Sequence, residues 1–351
     1  MPVRVRSFAK INLGLTIGAK RSDGFHELRT IYQMIGVHDL VRVHTRKGDG
    51  IEIRCTDERV PRDESNTCYR MAERVLEALG TTAKVVIEIE KELPPQGGLG
   101  GASSNAVAVM LALERALKTQ IPADEKLRMA AEIGSDLPQF LIGGTVLGVG
   151  RGEEVYPLPD LPPLPLVLAT PDIGVSTPQA FAEWDNMVEG QQELAELELE
   201  EEDEPTETAK LTALSSSDRI TSFNQRVFRW LGDWLPRQRN GAGKSSTGVP
   251  ARRGGSRAET LLLDLVRAGI KNDFERVVYS LYPELREVRR LLRLEGARYV
   301  SLSGSGSTLY GIFESNAQAE QVAASMTAAG VPSRATVSLS RQQYWRQMFG
   351  K

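Results

Sequence analysis

The chain has 351 residues, a formal net charge of −3, and apolar and charged shares of 41% and 25%. That length allows two domains, or one large one, with enough chain for a sizeable core. The slight acidity excludes a whole-chain attraction to nucleic acid or anionic membrane, and no stretch approaches the roughly twenty apolar residues that span a bilayer.

The opening MPVRVRSFAKINL lacks the apolar run of a signal peptide, so a cytoplasmic protein is expected. Val3 and Val5 alternate with Arg4 and Arg6, as in a half-buried strand, which runs on through Lys10, Ile11, Asn12 and Leu13. A turn follows at Ser22-Asp23-Gly24, then strands over 31–35, 40–45 and 51–55. Cys55 and Cys68 have no Cys or His at metal-site spacing. Reduced structural thiols are expected, with a disulfide between them as the other reading. Asn66, with Ser65 as N-cap, opens a helix to about Leu79, closed by Gly80. Val85, Ile87 and Ile89 alternate with polar residues and mark a strand.

The strand leads into Glu92-Leu-Pro94-Pro95-Gln-Gly97-Gly98-Leu99-Gly100-Gly101-Ala102-Ser103-Ser104, with a helical stripe of Ala106, Val109, Met110, Leu113 and Leu117 behind it. Backbone N–H groups freed at the start of a helix bind anions, most often phosphate. Glycine lets the backbone close round the phosphate oxygens. Taken alone, such a run is more often a strand-to-helix turn. A shorter helix follows from Pro122 through Ile133, then a turn at Gly134-Ser-Asp136-Leu-Pro138, an apolar stretch, Gly143-Gly144-Thr145, and strand and turn over 146–152. Pro157, Pro159, Pro162, Pro163 and Pro165 form a stiff connector, the expected domain boundary. A short buried strand covers 166–169 and a helix 177–184.

Composition then breaks. Residues 198–204 are nearly all acidic, and 240–257 are rich in Gly, Ser and Arg. Between them, the apolar residues over 220–235 are spaced so that they could form one amphipathic helix, which would dock on its own domain or on a partner. Residues 186–256 are therefore expected to be a mostly disordered insertion. Gly241-Ala-Gly-Lys-Ser-Ser-Thr247 imitates the end of a P-loop. It fails the pattern because Gln238 stands where the first glycine belongs. Order is expected to resume at Leu261. Strand 299–302, loop 303–307, strand 308–313, helix 316–329 and strand 334–339 suit an α+β sandwich of split βαβ type.

Several residues could carry chemistry. Lys10, among apolar neighbours, would stabilise phosphoryl charge or lower the pKa of a substrate hydroxyl; the other reading is a strand-end lysine reaching solvent. Asp136 would serve as general base or bind a cation, or else make an Asx-turn. Gly304 and Gly306, in Ser303-Gly-Ser-Gly-Ser-Thr308, form either a second anion nest or a plain hairpin turn. His26, His38 and His44 lack the spacing of a metal pair, and there is neither a Gly-x-Ser-x-Gly elbow nor a protein-kinase signature.

Together these segments resemble the GHMP kinase superfamily, through Pro94-x-x-x-Gly98-Leu-Gly-Gly101-Ala-Ser103-Ser104 and Ser303-Gly-Ser-Gly-Ser-Thr308. Ala9-Lys10-Ile11-Asn12-Leu13 and Arg21-Ser-Asp23-Gly24-Phe25-His26-Glu-Leu28 are similar to the 4-diphosphocytidyl-2-C-methyl-D-erythritol kinase family of the non-mevalonate isoprenoid pathway. So, in order, are Gly134-Ser-Asp136-Leu-Pro138-x-Phe140, Gly150-Arg-Gly-Glu153, Val175-Ser-Thr177-Pro178 and Asn272-Asp273-Phe-Glu275.

The resemblance implies a two-domain α+β GHMP kinase fold. Residues 1–157 would form the ATP-binding domain, and 158–351 a ferredoxin-like domain interrupted by the insertion, with the site in the cleft between them. It implies transfer of the ATP γ-phosphate to the 2-hydroxyl of 4-diphosphocytidyl-2-C-methyl-D-erythritol, with Asp136 taking the hydroxyl proton and Lys10 steadying charge. ATP with Mg²⁺ would be held by Asn66 near the adenine and by Pro94, Pro95, Gly97, Gly98, Leu99, Gly100, Gly101, Ala102, Ser103 and Ser104, with Ser103 or Ser104 near the metal. Asn12 would contact the substrate, Phe25 and His26 the cytosine, and Phe181 the other face of its ring. Phe25 stands where the family often has tyrosine, and Ala102 where it usually has glycine or serine. A monomer or weak homodimer is expected, with no nucleic-acid or membrane partner. Other readings are a kinase for another small alcohol, such as mevalonate or homoserine, and a catalytically inactive binding module.

Overall fold

The computed structural model describes residues 2–201 and 271–350. Its first sheet is built on two long antiparallel strands, β1 (Val3–Lys20) and β2 (His26–Arg46), paired from Val3↔Val43 to Lys20↔His26. The two strands expected over 31–35 and 40–45 are parts of β2, which carries on through 36–39. Burial alternates there, but one of the two inward positions, Val37 and Asp39, is a carboxylate, so the apolar period-two signal fades. β3 (Ile51–Cys55) pairs parallel with β4 (Lys84–Glu90). β4 and then β5 (Thr145–Val149) pair with opposite ends of β2, and β6 (Glu154–Pro157) closes the order β3-β4-β2-β5-β6.

The helices α1 (Thr67–Ala78), α2 (Gly101–Leu117) and α3 (Ala123–Ile133) share one core with the sheet, around Met71, Val75, Val109 and Leu113. The N-cap of α1 is Asn66 rather than Ser65: the Asn66 side chain accepts from the Cys68 N–H at 2.8 Å. α2 starts at Gly101, two residues ahead of the expected Ser103, so it takes in the end of the glycine loop. Cys55 and Cys68 are free, buried thiols, and burial pushes the Cys68 thiol up to about 12. One helical turn, α4 (Gln139–Ile142), follows the Asp136 segment.

The proline-rich connector buries Leu158, Leu161 and Leu164 in a second core between the sheets. It leads to β7 (Pro165–Ala169) in a four-stranded antiparallel sheet with β8 (Tyr299–Leu302), β9 (Leu309–Ile312) and β10 (Ser333–Val337), in the order β10-β7-β9-β8. This is the expected ferredoxin-like arrangement. Strand alternation divides its side chains. Leu166 and Leu168 face the first sheet, while Val167 and Ala169 face helices in a third core. Those helices are α5 (Thr177–Glu201), α6 (Phe274–Leu281), α7 (Glu284–Leu294) and α8 (Asn316–Ala328). α5 continues well past 186, where the insertion was expected to begin, because its first turns bury Ala180 and Trp184. The rest of that insertion, with the helix over 220–235, the P-loop-like run and Leu261, lies outside the described residues. A last helix, α9 (Arg341–Met348), returns to the first core through Tyr344 and Met348.

Candidate active site

Two cavities meet at the glycine loop, sharing Gly98, Gly100 and Thr177 as walls. One, of about 500 Å³, runs from Asn66 along Pro94 to Ser103. The other, of about 670 Å³, holds Lys10, Asp136, Phe25, His26 and Phe181. Residues that lie far apart in sequence are thus brought to one cleft.

The loop's shape follows from what surrounds it. Gly98 and Gly100 take φ of +74° and +68°. A Cβ at Gly100 would stand 2.9 Å from the Phe140 ring and 3.2 Å from Lys10 Cε, so glycine lets the loop lie against the lysine. At the loop's entrance the fully buried Asp39 accepts from the backbone N–H groups of Glu92 and Leu93, both at 2.8 Å, from Asn105 at 3.0 Å, and from Lys91. On the other side the second glycine loop packs against the first: Ser303 Oγ donates to Gly98 O at 2.9 Å, and Thr308 N to Gly97 O at 3.2 Å. Asn272 holds that second loop by donating to Leu302 O at 2.8 Å and Gly304 O at 2.7 Å. Residues 303–308 are therefore more than a hairpin turn; they form a wall of the site.

Lys10 is buried and donates to Asn12 Oδ1 and Gly98 O, both at 2.7 Å. Burial pushes its ammonium down to about 8, against the opposing pull of the Asp136 charge. Asn12 Nδ2 donates to Thr30 Oγ1 at 2.7 Å. Both ends of the Asn12 amide are engaged within the protein, so it serves as an anchor for Lys10. Asp136 Oδ1 accepts from Ser103 Oγ at 2.6 Å. Ser104 points elsewhere. It is buried, donates to Phe8 O at 2.7 Å and accepts from Ser7 at 2.7 Å, which takes it out of the pair considered for Mg²⁺. Asn66 lines the first cavity with its side chain spent on capping α1 and on Pro61 O at 2.6 Å.

At the far end of the second cavity His26 and Phe181 stack on each other, with centroids 5.0 Å apart and planes 8° apart. That spacing leaves no gap for a third ring between them. Phe25 is 51% exposed, under the Arg151 guanidinium at 4.9 Å. Phe25 therefore offers the open aromatic face, with Phe181 backed by His26.

Three contributors were not visible as site residues in the sequence. Asp39 is a charged residue inside an apolar strand. Tyr32 is buried under Gly148 and Gly152, with its ring 5.8 Å from Lys10 Nζ. Asp185 accepts from His26. Only Asp185 had a usable signal: Thr177, Phe181 and Asp185 recur every four residues on one helix face.

Residues 66–144 match the family model of the GHMP kinases N terminal domain, and residues 258–332 that of the GHMP kinases C terminal. A protein of Solibacter usitatus named 4-diphosphocytidyl-2-C-methyl-D-erythritol kinase is 33% identical over 310 residues, which cover 88% of this chain and 80% of that one. A crystal structure of 4-(cytidine 5'-diphospho)-2C-methyl-D-erythritol kinase is similar at TM-score 0.65 and 28% identity, over 95% of this chain and 98% of that one. The crystal structure of homoserine kinase from Cytophaga hutchinsonii matches at TM-score 0.62 and 21% identity, over 98% and 96%, a likeness of fold alone.

Proposed function

We propose a reaction for a chain that belongs to the 4-diphosphocytidyl-2-C-methyl-D-erythritol kinase family of GHMP kinases: it transfers the γ-phosphoryl group of ATP to the 2-hydroxyl of 4-diphosphocytidyl-2-C-methyl-D-erythritol. The observation that carries this reading is the junction of the two cavities. There a pinned ammonium, a carboxylate and a loop of free N–H groups meet.

In this reading ATP lies along the first cavity with its phosphates on the N-terminus of α2, where N–H groups and the helix dipole favour anions. Asp136 accepts the proton of the 2-hydroxyl as the phosphoryl group arrives. Lys10, fixed by Asn12 and Gly98 O, presents its remaining N–H to the oxygen that gains charge. Little else is required, since phosphoryl transfer depends on position and electrostatics. Ser103 and Asp136 supply oxygen donors that suit Mg²⁺, and among the described residues no group of three or more His, Cys, Asp or Glu could hold a metal without the nucleotide. When bound, the metal would neutralise phosphate charge. The cytidyl end of the substrate fits the Phe25, His26 and Phe181 end of the second cavity.

The same reading divides the chain into domains 1–157 and 158–351. It places the enzyme in the cytoplasm as a monomer or weak homodimer, which sedimentation at several concentrations would test. Among the described residues no helix is long and apolar enough to cross a membrane. The decisive experiment supplies γ-labelled ATP with the cytidyl alcohol, mevalonate and homoserine in parallel. Label should enter the cytidyl alcohol; label entering only one of the others would overturn the reading.

A further inference from the structure

His26 is held in place with more care than a stacking surface requires. Its ring is buried, flat on Phe181, and bonded through Nε2 to Asp185 Oδ1 at 2.7 Å. The second oxygen of Asp185 accepts from Lys20 Nζ at 3.0 Å. Partial burial alone would raise the Asp185 carboxyl, but the hydrogen bonds from Lys20 and His26 outweigh it and hold it below its ordinary value. An ionised carboxylate only accepts, so Nε2 of His26 carries a proton, and in the neutral ring Nδ1 then carries none. Among the described residues nothing bonds to Nδ1, and the ring lines the second cavity.

We propose that Asp185 is a specificity-determining positioning residue: by fixing the Nε2–H tautomer of His26 it leaves Nδ1 as an acceptor, which favours an amino-bearing pyrimidine over its keto counterpart. The inference rests on the cytidyl reading above and adds the means of base selection. A cytosine ring carries an amino donor where uracil carries a carbonyl acceptor. An acceptor fixed in the pocket meets the first with a hydrogen bond and the second with lone-pair repulsion. Such a polar mismatch discriminates better than shape, because the two rings are nearly the same size. Lys20 makes the device sensitive to one atom. In Asp185→Asn the ammonium retains the remaining oxygen, which turns the amide NH₂ toward His26. Nε2 must then accept, and the proton moves to Nδ1.

The test is calorimetric titration of the full chain with CDP and with UDP, for wild type, Asp185→Asn and Asp185→Ala, beside ¹⁵N spectra of the histidine ring nitrogens. Wild type should prefer CDP by about tenfold or more, the worth of one hydrogen bond in a closed pocket. Asp185→Asn should lose or invert the preference, with Asp185→Ala between the two. A merely structural carboxylate gives the opposite order, since the near-isosteric amide disturbs packing less than alanine does. In turnover, Asp185→Asn should raise KM for the cytidyl alcohol more than it lowers kcat. Equal CDP and UDP affinity in wild type, or an unchanged ratio in Asp185→Asn, overturns the proposal. If wild type still phosphorylates the cytidyl alcohol, either result leaves the kinase reading standing. A wild type that phosphorylates none of the alcohols overturns that reading instead, while the CDP-to-UDP ratio still decides this one.

Discussion

Gly98 and Ser303 are locked together: the Ser303 hydroxyl donates to Gly98 O at 2.9 Å, and a Cβ on Gly98 would lie 2.0 Å from Ser303 O. Each glycine loop thus shapes the other. In Gly98→Ala the added methyl meets backbone rather than a movable side chain, at a φ of +74° that disfavours alanine. We expect a loss of about 2 kcal/mol or more in stability, with ATP binding impaired beyond what unfolding explains. Urea denaturation and ATP titration of the folded fraction would check both.

Lys10 predicts opposite signs for activity and stability. Its ammonium is charged below about pH 8 and loses its proton above that. Transfer should therefore fade as pH rises through 8, for a reason absent from Lys10→Arg. For stability, a lowered lysine opposes folding in full below pH 8, where both states are charged. That penalty shrinks as pH climbs from 8 toward 10.5, because the folded protein sheds the proton first. The cost at neutral pH is on the order of 3 kcal/mol before the hydrogen bonds of Lys10 are counted. Lys10→Met should be inactive yet no less stable than wild type at pH 7. A stability gap between the two proteins that widens in wild type's favour as pH falls from 10 to 7 would contradict this.

Asp136 and Ser103 separate chemistry from support. Asp136→Ala should lower kcat by about 10²–10⁴, the usual worth of a positioned base, and weaken ATP binding by much less. Ser103→Ala removes the 2.6 Å hydrogen bond that orients the carboxylate and one oxygen donor for Mg²⁺ but keeps the base itself, so its effect on kcat should be smaller. Steady-state kinetics on both variants would show the order.

Asp39→Asn tests the loop's entrance. The amide can still accept from Glu92 and Leu93, but it leaves the buried Lys91 ammonium without a counter-charge. Breaking a buried pair in this way costs about 3–5 kcal/mol. Chemical denaturation should report a loss of that size, and any enzyme that remains folded should bind ATP weakly, because the strand enters the loop at the wrong angle.

What could be read from the sequence was local. The alternation of Val85, Ile87 and Ile89, the glycine run and the stripe behind it gave β4, the loop and α2 in order, and Lys10 and Asp136 stood out as charges in apolar surroundings. What could not be read was pairing across the chain. Asp39 falls in the gap where the period-two pattern of β2 lapses, and its partners lie more than fifty residues away. Asn12 lines the second cavity as expected of a substrate contact, but nothing local shows that Lys10 and Thr30 also engage the two ends of its amide. His26 and Phe181 were each visible as aromatic readers. That they stack on each other is a matter of how α5 lies on β2, which no spacing encodes.

The return of α9 to the first core sets an order of events during synthesis. Tyr344 lies against Gly143, where a Cβ would be 2.4 Å from its ring, and its hydroxyl donates to Phe140 O at 2.7 Å, directly behind the segment that carries Asp136. A chain growing from the ribosome lays down β1 first, yet it cannot seal the layer over Phe8 and Phe140 until residue 348 has emerged. The first core is begun by β1 and completed only when α9 packs back onto it.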